Sequence, residues 1–179
     1  YIAEELNKMG LETEIQVQTA VNKKWFAATT VQNIIAKIKG SENGKALMLL
    51  SHYDSNPHSS LGASDAGSGV ATILEGVRAF LSKNKTPKND IIILISDAEE
   101  LGLLGSKYYV NNPTIDLSKV QLMINLDMVG RMDEEKNVQL GGSPSAKNFS
   151  AKLHPFFVNS PINIIDLGKG IFSRSDHYN

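Results

Sequence analysis

Three short runs constrain this chain more than anything else in it: residues 46–50 (Ala-Leu-Met-Leu-Leu), 91–95 (Ile-Ile-Ile-Leu-Ile) and 122–126 (Leu-Met-Ile-Asn-Leu). Each is almost wholly apolar and rich in branched residues. Strands buried on both faces of a sheet have this pattern, because neither face meets water. Between the first two runs, apolar residues at 70, 73, 74, 77, 80 and 81 have the spacing of a helix with one buried face. Residues 101–110 read as a second helix, 146–158 as a weaker one, and 162–166 as a fourth apolar strand. Earlier in the chain, residues 4–9 end a helix at Gly10, the position just past a helix where glycine is favoured. Residues 11–20 alternate with period two, as a half-exposed strand does, and 33–39 repeat the pattern before a turn at 42–44. Strands alternating with helices predict an α/β fold: three layers, α/β/α, around a largely parallel central sheet.

Composition narrows the function classes. The 179 residues suffice for one buried core, with no linker or repeat to divide them, so 1–179 reads as a single domain. A formal net charge of −1 gives no electrostatic footprint for nucleic acid. No apolar run approaches the roughly 20 residues of a membrane-spanning helix. There is no cysteine, which removes disulfides and thiolate nucleophiles and leaves any metal site to histidine and carboxylates. The chain starts at Tyr1 without a leader-like segment, so a mature form or an excised fragment is expected.

Each buried run ends in polar residues. The first leads into Ser51-His52-Tyr53-Asp54, the second into Ser96-Asp97-Ala98-Glu99-Glu100, and the third closes as Asn125-Leu126-Asp127. Open α/β sheets bind ligands beyond the carboxyl ends of their strands, so these clusters are candidates for one shared site. Taken singly, each is simply a polar loop after a strand; three in succession are harder to dismiss. A glycine-punctuated loop, residues 61–69, sets Asp65 at a helix start, and Ser173-Arg-Ser-Asp-His177 adds a second histidine. His52, His177, Asp65, Asp127 and the pair Glu99-Glu100 form a nitrogen and oxygen donor set suited to zinc, manganese or cobalt in a hydrolytic site. Two divalent ions would balance Asp65, Glu100, Asp127 and a hydroxide, leaving Glu99 free to accept a proton. Asp54, two residues after His52 on an extended segment, lies on the same side and is placed to accept that ring's other N–H.

These segments resemble the co-catalytic zinc aminopeptidase family, which includes leucyl aminopeptidases, aminopeptidase Y and the glutamate carboxypeptidases. The matching residues are His52-Tyr-Asp-Ser55, Gly62-Ala-Ser-Asp65 with Gly67-Ser-Gly69, Asp97-Ala-Glu-Glu-Leu-Gly102 with Leu104-Gly-Ser106, Asn125-Leu-Asp-Met-Val-Gly130 and Ser175-Asp-His177, in the family's order. The resemblance implies that Asp65 bridges two zinc ions, that His52 and Asp127 complete one ion and Glu100 and His177 the other. It further implies that Glu99 is the general base and that Asp54 orients His52. It implies a mixed sheet of about eight strands sandwiched by helices, a peptide substrate cut at its N-terminal bond, and an extracytoplasmic location. Ala66 departs from the family's Asp or Asn after the bridging Asp, at a position that helps shape an unusual peptide bond. Family members continue past the position of His177 with at least one further strand and helix, so a C-terminally incomplete domain is expected.

Two relatives of the same fold compete with the aminopeptidase reading. A carboxypeptidase needs a cation for the substrate's terminal carboxylate, for which Arg131 and Arg174 stand near the motifs. A glutaminyl cyclase would use one zinc, whereas His52 and Asp127 supply ligands for a second. His58 and His154 read as surface residues, and Trp25 and Phe26 as packing under the first strands. Asp97 and Asp176 are left between roles supporting the site and plain polar strand ends.

Overall fold

The alternation of apolar runs with helical patterns becomes a five-stranded sheet covered on both faces. The computed structural model describes every residue except Trp25, Pro57 and residues 142–148. The chain forms α1 (Ile2–Lys8), β1 (Thr13–Asn22), β2 (Ala27–Ile38), β3 (Ala46–His52), α2 (Gly67–Leu81), β4 (Asp90–Ser96), α3 (Leu104–Asn111), β5 (Val120–Asn125), β6 (Asn137–Gly141), α4 (Phe149–Phe157) and β7 (Asn163–Gly168). The main sheet has the order β1-β2-β4-β3-β5. Strands β4, β3 and β5 are parallel, while β2 runs antiparallel to both β1 and β4.

Strand alternation divides the core. Ile93 and Ile95 of β4, with Ile34, Ala36 and Ile38 of β2, face Val70, Ile73 and Val77 of α2 and Leu6 of α1. The intervening residues Ile92 and Leu94 pack with Ile35, Met48, Leu50 and Tyr109 of α3 on the opposite face. Burial of each such side chain contributes about 2 kcal/mol. The stack of layers predicted from the runs is therefore present.

Several expectations change in detail. The resemblance implied a sheet of about eight strands, but among the described residues the main sheet has five. β6 and β7 hydrogen-bond to each other in a separate parallel pair rather than to β5. β6 has no counterpart in the sequence reading, because 137–141 contain too few apolar residues to stand out. β2 starts six residues before position 33, at Ala27, and residues 27–33 pair with β1 alone. α3 starts at Leu104 rather than 101, because Gly102 and Leu103 adopt left-handed backbone angles (φ 98° and 59°) and close a turn onto the Glu99 carbonyl. Phe26 does not pack under the strands; it is 96 % exposed on the β1–β2 turn. Trp25 and residues 146–148 of the expected third helix lie outside the described residues.

Candidate metal centre

The carboxyl ends of the three parallel strands lie side by side, and each delivers part of the cluster. His52 is the last residue of β3 and is wholly buried. Asp127 follows β5 by two residues, and Glu99 and Glu100 follow β4. Asp65 comes from the loop before α2. Its oxygen Oδ1 lies 3.0 Å from His52 Nε2, and Asp127 Oδ1 lies 3.6 Å from the same nitrogen. His52, Glu99 and Asp127 each offer a ligand atom within 4.8 Å of the others. Glu99, expected to act as a base beside the ligands, lies within reach of them. Glu100 and His177 join through their fields: Glu100 feels Asp65 and His52, and His177 feels Asp127. Of the six residues predicted for the site, contact distances bring together His52, Asp65, Glu99 and Asp127, while Glu100 and His177 lie near enough to interact with them electrostatically.

Close packing of backbone makes the convergence possible. A Cβ on Gly69 would lie 1.9 Å from the Leu126 carbonyl, so only glycine lets the first turn of α2 press against the chain leading to Asp127. The buried Ser51 hydroxyl bonds that same Leu126 carbonyl at 2.8 Å and lies 3.4 Å from the Ala66 carbonyl, tying β3 to both segments. The Asp65–Ala66 peptide bond is cis. On the β4 side, the fully buried Asn33 side chain donates to the Gly105 carbonyl and to Gln16, and accepts from the Asp97 N–H.

Asp54 does more than the sequence implied. His52 Nδ1 lies 3.1 Å from the Asp54 carbonyl and 3.4 Å from its carboxylate. The carboxylate itself accepts the backbone N–H groups of Glu99 at 3.0 Å and Glu100 at 3.1 Å, one per oxygen. It therefore anchors the turn that carries both glutamates while its main chain meets the imidazole. Asp97 is structural: its oxygens accept the N–H groups of Gln32 and Ala98. Asp176 is buried and accepts a short hydrogen bond from the Ser96 hydroxyl, while its other oxygen has no partner. Ser51, Ser96, Asn33 and Ser175 were missed as site-supporting residues. For the first two, a signal was available: a serine closing each apolar run.

The electrostatics describe a site short of positive charge. Burial pushes the Glu99 carboxyl up to about 8; His52 opposes this, while Asp176, Asp127 and Glu100 add to it. Burial disfavours charge on His52, but the carboxylates of Asp127, Asp54 and Glu99 outweigh it and raise the ring to about 11. Asp65 is raised by burial and by Asp127, and Glu100 by burial and by Asp65. Burial lowers His177. Asp127 lies below its ordinary value: burial opposes that, and the nearby His52 ring and Ser175 hydroxyl prevail. Among the described residues no lysine or arginine forms an ion pair with these acids, and Arg131 and Arg174 are solvent-exposed. His52 Nε2, Asp127 Oδ1 and His177 Nε2 are buried without hydrogen-bond partners. Buried polar atoms are seldom left so. Orphaned donor atoms on three separate segments, amid surplus carboxylates, fit divalent cations.

His58 and His154 are exposed, as predicted, and take no part.

Comparison with known proteins agrees with this geometry. The sequence pattern described as Peptidase family M28 matches residues 33–179. The chain is 37 % identical to leupeptin-inactivating enzyme 1 of Streptomyces exfoliatus over 99 % of its own length and 38 % of that protein. It is 38 % identical to aminopeptidase YwaD of Bacillus subtilis over 64 % of its length and 25 % of that protein. It thus spans well under half of each relative. Among solved structures, a glutaminyl cyclase of Porphyromonas gingivalis superposes with a TM-score of 0.81 at 24 % identity, covering 99 % of this chain and 66 % of the other. A Zn-dependent exopeptidase of Parabacteroides distasonis does so with a TM-score of 0.76 at 23 % identity, covering 97 % and 70 %. At such identities these superpositions establish the fold alone.

Proposed function

This chain belongs to peptidase family M28, and from that membership and the strand-end cluster we propose that it is an exopeptidase removing the N-terminal residue of peptides. The observation that carries the reading is the meeting of His52 Nε2, Asp65 Oδ1 and Asp127 Oδ1, of which the ring nitrogen and Asp127 Oδ1 are buried with no hydrogen-bond partner. His52, Asp65, Glu100, Asp127 and His177 would hold two divalent ions, zinc in the first instance. Such ions act as Lewis acids that acidify water and polarise a carbonyl.

The remaining chemistry belongs to this chain's own residues. Glu99 removes a proton from the attacking water as it adds to the scissile carbonyl, then delivers that proton to the departing amine. Its burial and its carboxylate neighbours, which raise its proton affinity, suit a group that must both take and return a proton. Asp54 holds Glu99 and Glu100 by their N–H groups, so base and ligand keep a fixed spacing. Ser51 and Gly69 hold the segments bearing Asp65 and Asp127 against β3. The peptide is bound at the carboxyl edge of the sheet, where these residues lie.

The test is an assay of zinc-loaded full-length protein on three substrates: an unblocked dipeptide, its N-acetylated form, and a peptide beginning with glutamine. Cleavage of the free dipeptide alone supports the proposal. Release of ammonia and pyroglutamyl product from the glutamine peptide, without hydrolysis of the dipeptide, would replace it with the cyclase reading. Release of a C-terminal residue from the N-acetylated dipeptide would make the protein a carboxypeptidase.

A further inference from the structure

The two edges of the main sheet are finished differently. β5, at one edge, has six residues, and its pairing with β3 shifts register. β1, at the other, has ten residues in unbroken register with β2 from Thr13↔Ala36 to Asn22↔Ala27. Sheet edges are normally guarded against pairing with another chain by shortness, bulges, proline or a charge within the strand. β1 has none of these over residues 15–22. One face of the strand also carries exposed apolar side chains: Ile15 is 43 %, Val17 58 % and Val21 59 % exposed. The opposite face is occupied, since Gln16 donates to the Asn112 carbonyl and Asn22 to that of Leu101.

Charge identifies the partner. Glu12 and Glu14 stand at the start of the strand, and Lys23 and Lys24 just past its end; all four are exposed and form no ion pair among the described residues. A strand that is acidic at one end, basic at the other and apolar between is complementary to an antiparallel copy of itself. We propose that the β1 edge is a homodimerisation surface, on which a second copy of this chain adds its own β1 antiparallel about a two-fold axis near Thr19. In this register Val17 opposes Val21 of the second copy, Glu14 opposes Lys24, and each contact occurs twice because the interface is isologous. Directly opposed residues lie on the same face, so the two exposed apolar stripes merge into one patch. The two sheets become one sheet of ten strands, with both metal centres away from the joint. An unguarded edge is thereby closed by symmetry.

Sedimentation equilibrium on the zinc-loaded full chain tests this, with three surface variants that leave the core and the metal ligands untouched. The protein is expected at twice its monomer mass, and Val17→Lys is expected to sediment as a monomer. Glu14→Lys and Lys24→Glu, each alone, set like charges opposite one another at two places and should weaken the dimer about tenfold. Mixing those two variants in equal amounts restores opposite charges at both places, and the dimer should return. A protein that is monomeric throughout the concentration range overturns the proposal. So does a dimer that Val17→Lys and the single charge reversals leave intact, or one that the mixture fails to restore.

Discussion

His52, at the end of β3, and Asp97, just past the end of the neighbouring β4, are both polar residues closing a buried strand, yet they do opposite work. Beyond β4, Asp97 has both oxygens engaged by backbone N–H groups, from Gln32 at 2.8 Å and Ala98 at 2.7 Å. It joins β2 to the turn, with each oxygen already committed to the backbone. At the end of β3, His52 is fully buried, and its Nε2 has no hydrogen-bond partner although two carboxylate oxygens lie within 3.6 Å. A buried polar group that is satisfied belongs to the scaffold. One left unsatisfied beside like-minded neighbours is waiting for something with charge. Residue type and strand position are the same kind of signal at both ends; the difference lies in the accounting of hydrogen bonds.

That contrast is most open to attack at Glu99. Glu99→Gln keeps the shape and the oxygen that faces the cluster but cannot accept a proton, so kcat should fall about 10²–10⁴-fold in steady-state assays. A loss of less than tenfold would place the base elsewhere.

The pH dependence of metal uptake is the next lever. In the metal-free protein His52 is raised to about 11, so it is charged at neutral pH and must lose its proton to become a ligand. Zinc binding should release protons and tighten as pH rises from 6 to 8, by about tenfold per unit for each proton displaced. Calorimetry in buffers of different ionisation enthalpy counts those protons. The same shift has a stability consequence in the metal-free form. A histidine raised above its unfolded value contributes stability that is complete below about 6.5 and lost as pH climbs towards 11. Thermal unfolding without metal should therefore weaken on the alkaline side. A metal affinity flat across this range would mean that His52 is not a ligand.

Asp97→Asn is the control from the other strand. It exchanges one accepting oxygen for an N–H donor and should cost about 1 kcal/mol of stability in denaturant unfolding, with no change in zinc affinity. If zinc affinity fell with stability, the satisfied acid would be part of the metal centre after all.

Much of this was legible before any coordinates. The apolar runs at 46–50, 91–95 and 122–126 marked the three parallel strands, because burial on both faces leaves no choice of residue type. The site followed, since strand ends in an α/β sheet converge by topology. What could not be read was set by tertiary pairing or local backbone. β6 is too polar to announce itself and exists through its pairing with β7. The late start of α3 was hidden because left-handed angles at Gly102 and Leu103 are a property of the turn, not of the helical pattern. Asp54 was legible as a neighbour of His52, but its grip on Glu99 and Glu100 joins residues 45 and 46 positions apart, which no local pattern records.

The central claim is that adjacent glutamates on one turn divide the labour, Glu100 holding metal and Glu99 moving the proton. Zinc titration of Glu99→Gln and Glu100→Gln by calorimetry, beside the unaltered protein, tests it most directly. The account predicts two ions per chain for the unaltered protein and for Glu99→Gln, and one tight ion, with the second weakened at least tenfold, for Glu100→Gln. Equal loss of zinc from both variants, or a single ion in the unaltered protein that excess zinc does not raise, would contradict it.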